Sequence, residues 1–271
     1  MAFAQSARPN RPIAGAVATL GVSDRLAFLR KTYALLGGAL IAFAALTGFL
    51  LRFMPSVSWG FSKFALGGNI AWLIVLVLFM GVGWVAQRLA LSETSRNLQH
   101  VGLGLAVVAE ALILQPLLWV VMYRFGDQAT QATIINALAH GGSIDNAVMS
   151  GFAGKVILEA VVITLVIFIG LSATVFITKK DFSFMRGVLT ICAFAALGII
   201  LASMLFGFQL GAIFCGFMVL LMAGYVLYQT SLIMSYFPPT HHVAAALMLF
   251  STIATLFWYV LQLVMSLNDR R

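Results

Sequence analysis

Residues 101–123 read VGLGLAVVAEALILQPLLWVVMY, a mostly apolar run in which Glu110 is the only charged residue. A helix needs about 20 mostly apolar residues to cross the hydrocarbon core of a bilayer, so this run is long enough to span it. Its apolar residues do not alternate, and the run is too long for a barrel strand. The fold is therefore predicted to be all-α and membrane-spanning.

Six further runs of the same kind flank this one, which predicts a polytopic protein of seven transmembrane helices. The predicted spans are residues 32–53, 69–91, 101–123, 156–178, 187–208, 210–236 and 243–267. They form one transmembrane domain at residues 32–267, between an N-terminal tail at 1–31 and a short C-terminal tail at 268–271. The long connection at residues 125–154 contains a short predicted helix at 128–139, stopped by Gly141 and Gly142. We expect this loop to lie at the membrane interface, to cap a cavity, or to be a surface loop without a role.

The composition supports the same conclusion for the whole chain. Hydrophobic residues make up 62% of its 271 residues, charged residues only 9%, and the mean hydropathy is +1.04. An average soluble domain has about 25% charged residues, so soluble enzymes, disordered chains and coiled coils are excluded. The net charge of +8 is typical of basic loops that orient a membrane protein, and no nucleic-acid partner is expected.

The distribution of Lys and Arg predicts the orientation. With the N-terminus in the cytoplasm, the inside segments carry more of these residues than the outside segments, as the positive-inside rule requires. No apolar signal-peptide core precedes the first span, and the loops are short. We therefore expect an integral protein of a bacterial inner membrane, with lipid as its surrounding solvent.

Polar side chains at membrane depth are costly and are functional candidates by default. Glu110 lies near the middle of the third span, where a carboxyl group is expected to be neutral unless it is paired. Gln115 follows it as a further candidate for lining an ion path, next to Pro116, which is expected to kink the helix. Glu110 is thus a candidate proton acceptor or cation ligand, and the alternative is a protonated carboxyl group that makes one interhelical hydrogen bond.

Two later spans carry further polar groups that either line a path or join helices. They are Gln229, Thr230 and Ser231 in the sixth span, and Ser251, Thr252 and Thr255 in the seventh. The chain lacks HExxH, a Walker A sequence, a span aspartate pair and a lysine in a late span, so no enzymatic activity is expected. Cys192 and Cys215 have no metal-ligand spacing, and neither a metal nor a cofactor is predicted.

Residues 168–183 read FIGLSATVFITKKDFS, and this segment resembles the Bax inhibitor-1 (transmembrane Bax inhibitor motif) family. In that family, an apolar span ends in a Thr-Lys-(Lys/Arg)-Asp-(Phe/Leu)-Ser turn, which corresponds here to Thr178, Lys179, Lys180, Asp181, Phe182 and Ser183. The segments LRKTY at 29–33, YQT at 228–230 and AALMLFST at 245–252 are similar to other parts of the family pattern. The resemblance covers about residues 29–267.

The resemblance implies a seven-helix bundle whose last helix is surrounded by the others. It also implies a cation leak, particularly of calcium, gated by pH through two aspartates. Those aspartates correspond here to Gln229 and Thr252, neither of which can ionise, so the sequence predicts an altered sensor. The family further suggests an alternative, a non-conducting regulator that binds other membrane proteins, such as a membrane protease or a stress or cell-death factor.

Overall fold

The computed structural model describes residues 21–92, 95–140 and 151–269, and these residues form nine α-helices. In chain order they are α1 (Val22–Phe53), α2 (Pro55–Ala65), α3 (Asn69–Ala90), α4 (Arg96–Phe125), α5 (Gln128–His140), α6 (Phe152–Thr178), α7 (Arg186–Phe206), α8 (Ala212–Ser235) and α9 (His242–Asn268). A short 3-10 turn, Ser183–Met185, precedes α7. The predicted N-terminal tail up to residue 20, residues 141–150 of the long loop and the last two residues lie outside the described residues.

Seven of these helices are long and apolar enough to cross a membrane, which confirms the predicted fold class. The two shorter helices are α2 and α5, and α5 coincides closely with the helix predicted at 128–139. Helix α2, which begins at Pro55 directly after α1, was not predicted from the sequence. Proline suits the first position of a helix, because its fixed φ is helical and its missing N–H has no partner there anyway.

The last helix, α9, lies at the centre of the bundle. It packs against α1, α3, α4, α6 and α8, while α7 packs mainly on α8. Most of the apolar segment of α9 is buried, as is most of that of α4, whereas α3 and α7 are largely exposed. Since lipid covers the outer helices, α4 and α9 are the two spans whose polar residues are most enclosed by protein.

Helices α3 and α4 approach closely at Gly102. A Cβ atom at this position would lie 2.6 Å from the Ala86 carbonyl oxygen and 2.7 Å from the Ala90 nitrogen, both of them backbone atoms of α3. Close helix approach through small residues is a common way to pack membrane helices.

We expect Gly102→Ala to destabilise the protein by about 1–3 kcal/mol, because the backbone of α3 must move to make room for the methyl group. The thermal unfolding midpoint in detergent micelles measures this loss. Gly104→Ala is the matched control, since a Cβ there meets nothing within 4 Å. An equal loss of stability in both variants would contradict the proposed close packing at Gly102.

A tight connection joins α7 to α8. Helix α7 ends at Phe206, and the next residue, Gly207, has a φ of 73° in the left-handed region. Glycine adopts this conformation without the steric cost that other residues pay. The chain therefore reverses within a few residues and enters α8 at Ala212.

Candidate functional site

Gln229 and Thr252, the two positions predicted to replace a carboxyl pair, lie in direct contact. The Thr252 Oγ1 hydroxyl on α9 donates a hydrogen bond of 2.8 Å to Gln229 Oε1 on α8, and both residues are at least nine-tenths buried. The same hydroxyl lies 3.1 Å from the Met248 carbonyl oxygen, so its one proton serves two acceptors. The structure thus places a neutral hydrogen bond at the interface between α8 and the central helix.

Glu110 lies halfway along α4 and is 9% exposed. No hydrogen bond or ion pair reaches its carboxyl group from the residues that the structure describes. Ile113, one turn further along α4, packs with Val75 of α3. Ionising a carboxyl group without a partner in such a place is very costly, so the group is expected to be protonated at rest. It is able to give up and take back a proton or to bind a cation that enters the bundle.

Gln115, predicted with Glu110 as a path-lining residue, lies in a separate hydrogen-bonded cluster. Ser58 Oγ on α2 donates to Gln115 Oε1 at 2.7 Å, and Trp119 Nε1 donates to the Ser58 hydroxyl at 2.8 Å. The Gln115 amide nitrogen donates to the carbonyl oxygens of Ala111 at 3.0 Å and Thr47 at 3.4 Å. With all these partners, Gln115 joins α1, α2 and α4, and α4 itself continues without a break past Pro116.

Thr255 does not join the Gln229–Thr252 pair. Its hydroxyl donates at 2.8 Å to the Ser251 carbonyl oxygen, one turn earlier on the same helix. Among the described residues, no three His, Cys, Asp or Glu side chains lie close enough together to hold a metal ion.

Three buried hydroxyl groups lie beside the pair, and of these only that of Thr230 was singled out from the sequence. The Tyr33 hydroxyl on α1 lies near those of Ser172 on α6 and Thr230 on α8, but no hydrogen bond of acceptable geometry joins any of the three. Thr230 is adjacent to Gln229 in the chain. Buried polar atoms without protein partners are rare and often mark a site for water or a ligand. The one signal in the sequence was that all three belong to segments that resemble the family pattern.

The predicted family turn, Thr178 to Asp181, closes one end of the bundle. Helix α6 ends at Thr178, and Lys179 follows in the left-handed region with a φ of 51°. Asp181 then accepts hydrogen bonds from the Ser183 backbone N–H at 2.9 Å and from the Ser231 hydroxyl at 3.2 Å, both at Oδ1. The Tyr236 hydroxyl donates to its other oxygen at 2.8 Å. The turn is therefore fastened to Ser231 of α8, two residues after Gln229, and to Tyr236, which directly follows the helix.

These hydrogen bonds also set the charge of the turn. Partial burial acts to raise the pKa of Asp181, but the hydrogen bonds from Ser183, Tyr236 and Ser231 outweigh it and hold the pKa below its ordinary value of 3.8. The folded state therefore gains stability from ionised Asp181 at neutral pH, and this gain is lost as the pH falls through the lowered pKa. Lys180, the next basic residue of the turn, is exposed.

We expect Asp181→Asn to lower the free energy of unfolding at pH 7 by about 1 kcal/mol, because it weakens three hydrogen bonds at a partly exposed site. The stability difference from the wild type should shrink as the pH falls below about 4. Unfolding midpoints measured in detergent at a series of pH values check both points. Tyr236→Phe, which removes one of the three bonds, should give a smaller loss, and a loss independent of pH in Asp181→Asn would contradict this role.

A helical bundle with seven membrane-spanning helices and the last of them at its centre defines a polytopic integral membrane protein. Within this class, the chain belongs to the Bax1-I family, described as inhibitor of apoptosis-promoting Bax1, whose model matches residues 132–269. The matched segment includes the family turn, Gln229 and Thr252, but not Glu110.

Individual relatives extend this likeness. The chain is 28% identical over 258 residues to Bax inhibitor 1 of Schizosaccharomyces pombe. The aligned region covers 93% of this chain and 81% of that protein. It is 41% identical over 113 residues to an uncharacterized protein of Pseudomonas aeruginosa, covering 41% of this chain and 50% of that protein. No solved structure gives a significant match.

Proposed function

We propose that the protein is a leak pathway for cations, either calcium or protons, through the centre of the transmembrane bundle. The observation that carries this proposal is Glu110. It is the only buried acidic residue among those described, it lies midway along an enclosed span, and it has no hydrogen-bond or ion-pair partner there. A buried carboxyl group that stabilises nothing around it is retained at a cost, which favours a role in transport.

The pathway has an altered pH sensor in this proposal. The Gln229–Thr252 hydrogen bond lies where the family resemblance implies two carboxyl groups, and neither side chain titrates. Two carboxyl groups at this distance would share one proton and change charge with pH. We therefore propose that flux through this protein responds to the protonation of Glu110 rather than to the α8–α9 pair.

We also propose that the membrane is a bacterial inner membrane and that the N-terminus lies in the cytoplasm. The support is the excess of Lys and Arg in the segments that this orientation places inside. The bacterial relative is consistent with the first part of this proposal.

Flux measured in liposomes tests the main proposal. Purified protein should increase the entry of calcium, read by a trapped fluorescent indicator, or the decay of a proton gradient, read by a trapped pH dye. Liposomes without protein give the background rate. Rates equal to that background for both ions would contradict the leak pathway.

The second candidate is a non-conducting regulator that binds other membrane proteins. The neutral, closed contact between Gln229 and Thr252 favours it, because this contact offers no charge to attract a cation. Cross-linking in native membranes should then recover a specific protein partner. Measurable flux from the purified protein together with no cross-linked partner would count against the regulator.

A further inference from the structure

A groove of about 650 Å³ lies between α1 and α4, at the end of the bundle where both helices begin. Four basic side chains line it: Lys31 on α1, Arg96 and His100 on α4, and His242 at the start of α9. None of these residues takes part in the candidate pathway described above. They were also not predicted as a group, because they come from three distant parts of the chain.

The charge of this cluster is not neutralised by the described residues. The ion pair found within residues 21–92, 95–140 and 151–269 joins Arg124 to Asp269, at the opposite end of α4 and α9. Lys31, Arg96 and His100 lie close enough to act electrostatically on His242. His100 Nδ1 is 2.8 Å from the Arg96 carbonyl oxygen, which only accepts, so Nδ1 donates to that oxygen. Nε2 donates to an anion when the imidazole is also protonated there.

Helix ends add to the positive potential. Helix α4 begins at Arg96 and α9 begins at His242, so the N-termini of both helices open towards the groove. Backbone N–H groups at a helix N-terminus have no partner within the helix and favour anions. Neither helix has a side-chain cap at this end. Two helix N-termini and the charges of Lys31 and Arg96, with the imidazoles of His100 and His242 beside them, thus favour one anionic group, such as a phosphate.

The rest of the groove is apolar and shallow. Ala34, Gly38 and Ala42 follow one another on one face of α1, over about 12 Å of helix. Leu103 and Gly104 of α4 form the other wall. A Cβ built at Gly38 or at Gly104 meets nothing within 4 Å, so the groove at these glycines is open to the surroundings. A lipid-facing groove of this length suits an acyl chain.

We propose that this groove binds an anionic phospholipid, with the headgroup phosphate held by Lys31, Arg96, His100 and His242 and one acyl chain lying along Ala34, Gly38 and Ala42. Basic pockets between membrane helices bind anionic lipid headgroups in this way. The apolar wall distinguishes a lipid from a soluble phosphate, which would use only the basic end.

Native mass spectrometry of the full chain, released from detergent micelles, tests the proposal with added phosphatidylglycerol. We expect phosphatidylglycerol to bind more tightly than phosphatidylcholine. Lys31→Gln combined with Arg96→Gln should weaken phosphatidylglycerol binding roughly 25-fold, at about fivefold for each charge removed. Equal binding of the two lipids, or an unchanged affinity in the double variant, would overturn the proposal.

Matched controls separate the site from a general surface effect. Lys63→Gln combined with Lys155→Gln removes two exposed charges at the other end of the bundle, and phosphatidylglycerol binding should not change. Gly38→Leu places a side chain in the groove, at a position where a Cβ meets nothing within 4 Å, and should weaken binding, whereas Gly81→Leu on α3 should not. Inorganic phosphate should not displace the lipid. Displacement, together with normal binding in Gly38→Leu, would show a soluble-anion site instead and would overturn the lipid assignment.

Discussion

Replacing Glu110 with glutamine is expected to lower cation flux in liposomes by about tenfold or more while leaving the fold intact. Glutamine has nearly the same shape and keeps the hydrogen-bonding capacity of a protonated carboxyl group, but it neither releases a proton nor attracts a cation. Since Glu110 is the one buried acidic residue of the described bundle, no neighbour within it is placed to take over that role.

The unfolding temperature of Glu110→Gln distinguishes a functional role of Glu110 from a structural one. A buried carboxyl group without a partner costs about 1–3 kcal/mol of desolvation, and no hydrogen bond to it is lost on substitution. We therefore expect Glu110→Gln to unfold at the same temperature as the wild type or a higher one. Such a trade between stability and function is common at active sites.

Glu159→Gln is the matched control for this experiment. Glu159 is the acidic residue of α6, it is exposed, and the substitution is chemically identical. Flux and unfolding temperature should both stay at wild-type values. Unchanged flux in Glu110→Gln would remove this residue from the pathway, and a large fall in its unfolding temperature would assign it a structural role.

Installing a carboxyl pair in place of the neutral one should make the protein pH-sensitive. In the double variant Gln229→Asp and Thr252→Asp, two carboxyl groups would face each other where a 2.8 Å hydrogen bond now lies. Two buried carboxylates at this distance cannot both be ionised, so the folded state would keep a proton between them. The unfolded chain would release both protons by neutral pH.

The folded and unfolded states of the double variant differ in the number of protons they bind, and this difference fixes the direction of the pH effect. Because the folded state of the double variant binds more protons than the unfolded state, its stability should fall as the pH rises. We expect a loss of about 3 kcal/mol between pH 5 and pH 8, measured as the unfolding midpoint in detergent at each pH. The wild type should show no such loss from this pair. If the leak proposal is right, flux through the double variant should also change over this range.

Gln229→Asn combined with Thr252→Asn is the control, because asparagine matches the shape of aspartate without ionising. Any loss of stability in this variant should be independent of pH over the same range. An equal pH dependence in the two double variants would show that the effect arises elsewhere in the protein.

The sequence alone was sufficient for the architecture. The thickness of a bilayer requires long apolar runs, so seven such runs predicted seven spans, and the observed helices include most of each predicted range. The differences occur at the helix ends: α1 begins at Val22, ahead of the span predicted from residue 32, and α2 was not predicted. Interfacial residues at these ends are too polar to be counted by a hydropathy criterion.

Only the tertiary structure decided which polar residues meet. Gln229 and Thr252 were linked in advance through a family resemblance, and the packing of α8 on α9 brings them into contact. Gln115 was grouped with Glu110 because they are neighbours in sequence, yet it bonds to Ser58 of an unpredicted helix. Tyr33, Ser172 and Thr230 converge from three helices, and so do the basic residues of the α1–α4 groove.

The physical reason lies in the solvent. In a membrane protein, the faces that contact lipid and the faces that contact other helices are similarly apolar, so hydropathy does not reveal how each helix is rotated. The length and polarity of the spans were therefore determined by the sequence and the bilayer together. The rotation of each helix, and with it every contact between distant side chains, was decided by packing.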